Sequence, residues 1–348
     1  MAQYSNVGKP AFYIPWFDWR YSTGYITPTQ GTESDIFFLN PQKSHHIHFE
    51  EGTSLRYSFN LTRAVEENAA YDEESGGLYG ADGFAYVFLL GHNFEDRGVS
   101  AEVIFRNNGT DSFQTETGIQ NYTNSTTAPT CNGYSIYKAT WDFATADGID
   151  LKINSIADTS SDGHIYFGCA SVCTKWEPPH SPDLKLTMSR EFDGVKNIET
   201  DGGGTLSNAK YTQVPYFAGG WPAWEMGGGA EGSSIYGMSR HLGRRTWDLQ
   251  FSYISDSDLM PKSEGWYYYG VDDINTVQGG QTINTSDTFL GQVLNRVQGS
   301  HLPFIFLPDG NNVNGDQWAI CRFDQDKFQL KQVANNVYNL KLKIRECW

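Results

Sequence analysis

The first candidate for chemistry in this chain is a histidine that follows a strand. The stretch YVFLLGHNF, Tyr86 to Phe94, runs five apolar residues into Gly91 and then presents His92 and Asn93. A histidine base needs a nucleophile beside it and a carboxylate to orient its ring. No G-x-S-x-G sequence stands in a strand-turn-helix setting, so the usual nucleophile is missing. The residues match a turn instead, with Gly91 bending the chain and the His92 and Asn93 side chains bonding loop backbone. His92 is expected to be structural.

Metal-ligating patterns are sparse. In HHIH, His46 and His48 would share one face of a strand, and Glu50 would extend that row. Histidines on the surface before the first core strand are the plainer expectation. Cys169 and Cys173 form a C-x3-C pair with no second pair at metal-site spacing. Four residues apart in a strand, they face the same side, and buried free thiols without zinc are expected. Carboxylates cluster at Glu66 and Glu67, Asp72 to Glu74, and Asp272 and Asp273. A glycosidase needs two carboxylates converging across a cleft, which spacing along a chain does not establish. The loops Asp72 to Gly83 and Asp309 to Asp316 resemble calcium loops but lack the ligand order of an EF-hand. No phosphate loop or dinucleotide fingerprint occurs in its βαβ context. The sequence argues for no catalytic residue, no metal and no cofactor.

The elements that would position such residues are mostly strands. SLRYSF (54–59), FAYVFLL (84–90), SAEVIF (100–105), GYSIYKATWDF (133–143), IDLKINSI (149–156) and HIYFGCASV (164–172) are separated by Gly, Asn, Asp or Ser at short intervals. That rhythm predicts an antiparallel sandwich or barrel. KWEPPHSPDL (175–184), with Pro178, Pro179 and Pro182, reads as a link, and the Gly-rich residues 200–237 as an excursion. Beyond it, TWDLQFSYI alternates with Trp247, Leu249, Phe251 and Tyr253 on one face. SDTFLGQVLNRVQG predicts a helix, 287–298 at its core, whose apolar stripe is Phe289, Leu290, Val293, Leu294 and Val297. Ser286 or Asp287 would cap its start, and Gly299 would end it. PFIFLP, QWAICRF, KFQLKQV and VYNLKLKIRE complete the strands. The expected divisions are an N-terminal arm with the first strands (1–45), a β-sandwich (46–175), a linker and excursion (176–240) and a second β-domain carrying one helix (241–348).

Composition supports a β-protein with large cores. The 348 residues include 36 glycines, 15% aromatics and only 19% charged residues. Forty-one acidic against 25 basic residues give a formal charge of −16, a surface that repels phosphate backbones, so no nucleic-acid partner is expected. Five scattered cysteines are no disulfide framework. The first residues carry no signal-peptide pattern and no stretch approaches a membrane span.

Two features point to contact with other proteins. GWYYYG places Trp266, Tyr267, Tyr268 and Tyr269 in one long loop, where large amphipathic rings favour a partner surface. In the terminal strand, Tyr338, Leu340, Leu342 and Ile344 face one way and Lys341, Lys343 and Arg345 the other. Such a cationic row either protects an edge strand or meets an acidic neighbour, and a copy of this acidic chain qualifies.

The pattern from GRRTWDLQFSYIS through TFLGQVLNRVQGSHLPFIFLPDG to VYNLKLKIRE resembles tail-tube-like and distal-tail-type structural proteins of long-tailed bacteriophages. PAFYIPWFDWRYSTG, YVFLLGHNF and DGHIYFGCASV resemble phage virion proteins with a galactose-binding-like jelly roll. Together the two matches cover most of residues 10–175 and 240–348. The resemblance implies a mainly β fold, a jelly-roll sandwich followed by a tail-tube-like barrel or sandwich with one helix. It implies a non-enzymatic virion protein, made in the host cytoplasm, forming a ring of its own copies, hexameric, at or near the tail tip beside other tail proteins. It carries over no active site. A second reading is a tail module that binds host-surface glycan, with Trp221 and Trp224 of WPAW as the contacts, and a third is a glycan hydrolase on a β-scaffold.

Overall fold

The structure, a computed structural model, describes residues 7–22, 34–40, 45–47, 54–60, 84–95, 97–107, 110–112, 116–123, 127–130, 132–140, 148–155, 165–192, 195–209, 244–260 and 288–347. The protein is mainly β. The strands are β1 (Ala11–Pro15), β2 (His45–Ile47), β3 (Ser54–Asn60), β4 (Phe84–Leu90), β5 (Val99–Asn107), β6 (Thr110–Ser112), β7 (Glu116–Gln120), β8 (Tyr134–Thr140), β9 (Gly148–Ser155), β10 (Ile165–Phe167) and β11 (Cys169–Trp176). The second half adds β12 (Thr187–Glu191), β13 (Val195–Glu199), β14 (Thr205–Ala209), β15 (Arg244–Ser255), β16 (Phe304–Leu307), β17 (Ala319–Phe323), β18 (Leu330–Ala334) and β19 (Val337–Glu346).

One eleven-stranded antiparallel sheet runs β12-β15-β19-β17-β16-β1-β11-β4-β8-β7, with β18 also paired to β19. It passes without a break through both expected β-divisions. Its seam is β1, which pairs with β11 on one side and β16 on the other. The expected divisions placed β1 with the N-terminal arm and first strands, outside the sandwich. Five residues reveal no partners by themselves, but their packing shows the seam. Ala11 and Tyr13 enter one apolar cluster, and Phe12 and Ile14 enter the cluster on the opposite face.

A second sheet, β3-β9-β5-β6, faces the β11-β4-β8 region of the large one. Val99, Ala101, Val103, Phe105, Ile149, Leu151 and Ile153 from the small sheet meet Ala85, Val87, Leu89, Tyr137 and Val172 from the large one. This is the β-sandwich expected from the strand rhythm. Helix α1 (Trp16–Ser22) was not expected, and with the turn at Ser34–Phe37 it adds Trp16, Phe17, Trp19, Ile36 and Phe37 to the same cluster. FAYVFLL is apolar throughout because β4 is covered on both faces: Val87 and Leu89 point into the sandwich, Tyr86, Phe88 and Leu90 away from it.

Three expectations are corrected in detail. HIYFGCASV is two strands, because the chain breaks at Gly168; β10 pairs with β2 and β11 with β4. In β15, Trp247, Leu249 and Phe251 are buried as expected, but a register shift between Phe251 and Ile254 turns Ile254 inward and leaves Tyr253 75% exposed at φ 61°. The helix is shorter and wider than predicted. Leu290–Leu294 is a π-helical turn, with the Asn295 amide donating to the Leu290 carbonyl. Phe289, Val293 and Val297 are buried, whereas Leu290 and Leu294 are half-buried. Gly299, at φ 70°, follows the helical turns in the left-handed conformation that Gly adopts freely. The proposed capping residues Ser286 and Asp287 lie outside the described residues.

Candidate functional site

His92 sits where β4 ends. Gly91, at φ 73°, turns the chain, and its amide donates to the Gly133 carbonyl. Asn93 fixes the loop by a two-way link with Tyr166: its amide donates to the Tyr166 carbonyl at 3.2 Å, and its Oδ1 accepts the Tyr166 amide at 2.8 Å. The His92 side chain does something the sequence did not suggest. Its ring is fully buried, stacks on Phe94 at 4.4 Å, and places Nε2 2.9 Å from Ser135 Oγ. Burial pushes its pKa down to about 3, against backbone hydrogen bonding from Tyr134 and His92 itself. A neutral imidazole beside a serine can hold that hydroxyl in place. Both residues are sealed from solvent, and His92 Nδ1 has no carboxylate partner among the described residues. The pair therefore ties β8 to the end of β4.

The other sequence candidates are dispersed. His45 stacks on Phe167 at 5.2 Å in the β2–β10 pair. His48 and Glu50, the carboxylate pairs before residue 84 and at 272–273, and the loop Asp72 to Gly83 lie outside the described residues. So do Cys131, Trp221, Trp224, Trp266, Tyr267, Tyr268 and Tyr269. Among the described residues no three His, Cys, Asp or Glu side chains stand close enough to hold a metal ion. Cys169 and Cys173 are free thiols on one face of β11, buried in the same apolar cluster and held protonated by that burial. In Asp309 to Asp316, Asp309 Oδ1 accepts the Asn311 amide and Asn312 Oδ1 the Asn314 amide, which makes these side chains turn-formers.

The cationic row of β19 is not on an edge. β15 pairs along one side, and β17 and β18 share the other. Leu340, Leu342 and Ile344 are buried, and Lys341 and Lys343 are exposed, as the alternation predicts. Two of the three cations find acids within the chain. Lys343 Nζ lies 2.7 Å from Asp324 Oδ2, which raises its pKa, and an Arg345 guanidinium nitrogen lies 2.7 Å from Glu191 Oε2. Lys341 alone of the row has no side-chain partner among the described residues.

The surface least accounted for within the chain is at the other side of β15. There β12 is the terminal strand of the large sheet, with Met188 44% exposed. The chain continues past exposed Phe192 into β13 and β14, a hairpin that forms a sheet of its own. Its register opposes Ile198 to Leu206 and Val195 to Ala209. The turn is tied by Thr200, whose hydroxyl donates to the Gly204 carbonyl and accepts the Gly204 amide, with Gly203 at φ 78°. Residues 195–208 are exposed throughout, including Val195, Ile198 and Leu206. Sequence reading missed these strands because they bury nothing, and burial is what writes a period into a strand. The one available signal was Ile and Leu in an otherwise polar stretch.

Compared with protein-family models, with curated proteins and with solved structures, the chain matches none.

Proposed function

We propose that the chain is a structural subunit that assembles side by side with copies of itself, as a ring at or near the tip of a bacteriophage tail. The observation that carries the assembly reading is the β13–β14 hairpin. A two-stranded hairpin without a packed face is marginal in water. This one exposes an apolar cross-strand pair, Ile198 and Leu206, beside a strand edge of the kind that templates pairing with another chain. An arm on one side of the subunit suits a heterologous contact, which closes into a ring when the rotation allows. The placement in a phage tail rests on the resemblance of residues 10–175 and 240–348 to virion proteins. Lys341, exposed on the outer face of β19, is a second contact; Lys343 and Arg345 serve chiefly within the chain.

The test is the mass of the purified chain in solution, with electron microscopy of any assembly. Wild type is expected to form a closed ring. Ile198→Asp with Leu206→Asp is expected to give folded monomers, since exposed positions contribute little to the fold. A wild type that stays monomeric, or a double variant that assembles unchanged, refutes the reading. An assembly with two-fold symmetry only would refute the ring.

A further inference from the structure

In the second half of the sequence, three arginines rise from one face of three neighbouring strands. Arg345 of β19 stands directly across from Arg322 of β17, and on its other side across from Thr246 of β15. Arg244 lies two residues before Thr246 and so shares that face. The opposite face carries Trp247, Ile344 and Phe323 into the core. Like charges directly opposed across a sheet are unfavourable, and a local rule broken in this way points to a site. The three side chains line a cleft of about 380 Å³, together with Ser300, Gln325 and Cys347.

The electrostatics of the cleft differ from those of the chain. Its net charge of −16 repels anions at large. Of the acids lining the cleft, Asp324 is held by Lys343 at 2.7 Å, and Glu346 takes a bidentate grip from Arg245 at 2.9 and 3.2 Å. Arg345 keeps Glu191, which is not part of the lining. Asp326 also lines the cleft, so the lining carries three arginines against three acids, two of which are held by cations outside it. Arg244 and Arg322 line the same recess as the Cys347 thiol.

We propose that this cleft binds a phosphate-bearing small molecule, its oxyanion held between Arg322 and Arg345 with Arg244 at the side. The guanidinium fork matches a phosphate's oxygens two at a time, the Ser300 hydroxyl supplies a further donor, and the volume is that of a small-ligand pocket. The site is distinct from the assembly contacts, because neither β13, β14 nor Lys341 lines it.

The experiment is calorimetric titration of the full chain with inorganic phosphate and with pyrophosphate, against chloride at matched ionic strength. Saturable binding at one site per chain is expected, tighter for pyrophosphate. Arg322→Gln removes an exposed side chain and should leave the fold, checked by circular dichroism, intact. It should weaken binding about tenfold or more, the loss expected when a charged fork worth about 1.4 kcal/mol or more is removed. Lys331→Gln, exposed on β18 and outside the cleft, should bind as wild type. Arg322→Lys should fall between, since it keeps the charge and loses the fork. The proposal is overturned if neither anion binds saturably, if Arg322→Gln binds as wild type does, or if Lys331→Gln loses as much.

Discussion

Replacing Asp150 by Asn tests whether the small sheet is held by a buried charge cluster. Asp150 lies on the face of β9 away from the sandwich core, yet its side chain is fully covered. The cover is two arginines from the flanking strands. Arg56 of β3 reaches Asp150 Oδ2 through Nε at 2.6 Å and also through its terminal nitrogen, and Arg106 of β5 brings Nε to 3.2 Å from the same oxygen. Three strands thus meet at one carboxylate oxygen. Removing one member of a buried ion pair costs about 3–5 kcal/mol, because the charge left behind has lost its partner and its water. Here the arginine side chains are 37% and 18% exposed and recover part of their hydration. The expected cost of Asp150→Asn is therefore about 2–3 kcal/mol, below the fully buried range. Urea unfolding should show a lower midpoint at unchanged slope. The loss should persist at high salt, because covered pairs are screened little. Arg56→Met should cost less, nearer about 1 kcal/mol, the upper end for a solvent-exposed pair. If Asp150→Asn loses under about 0.5 kcal/mol, or its loss disappears in salt, the cluster is an ordinary surface pair and the reasoning fails.

Two further substitutions probe the sandwich. His92→Ala should cost about 2–4 kcal/mol by chemical unfolding, as for other large buried side chains cut to Ala, whereas a turn histidine on the surface would cost about 1 kcal/mol; a cost at that lower value would show that the ring is not packed as described. Burial raises the Asp18 pKa from 3.8 to about 7, so the folded chain keeps a proton that the unfolded chain has released. That contribution to stability is complete below the unfolded value and is lost as pH rises toward about 7, the sign set by proton linkage. Asp18→Asn, which can still accept the Leu39 amide, should flatten this part of the stability profile between pH 4 and 7; an unchanged slope would assign the dependence to another group.

What the sequence made legible follows from burial. The run Tyr86 to Leu90 could be read as a core strand because both of its faces are covered, and the alternation at Leu340, Leu342 and Ile344 because one face is. The sandwich and the mainly β class came from these signals. Pairing between strands distant in sequence left no such mark, so the continuity of the large sheet through β1 was hidden. The bulge at Tyr253 was hidden for a related reason: alternation assumes a constant register, and the shift that turns Ile254 inward is set by the neighbouring β19. At the cationic row, the sequence located exposed Lys341 and Lys343, whereas Arg345 is half-buried. It could not show that Asp324 and Glu191 would fold back onto two of them. The arginine cleft was illegible because Arg244, Arg322 and Arg345 lie on three strands whose order only the fold establishes.

The position of β1 has a consequence for the order of events during synthesis. Its five residues leave the ribosome before either neighbour, β11 at Cys169–Trp176 or β16 at Phe304–Leu307. Until β11 emerges this almost wholly apolar strand has no mate on either side, and until β16 emerges it lacks one, and closing these distant pairs makes folding slow. Exposed strand edges of that kind invite aggregation. The nascent chain therefore needs shelter, from a chaperone or from transient cover by its own sandwich residues, until Phe304 to Leu307 arrive. Production of the first 200 residues alone should yield insoluble protein, and supplying residues 288–348 as a separate chain should recover some of it.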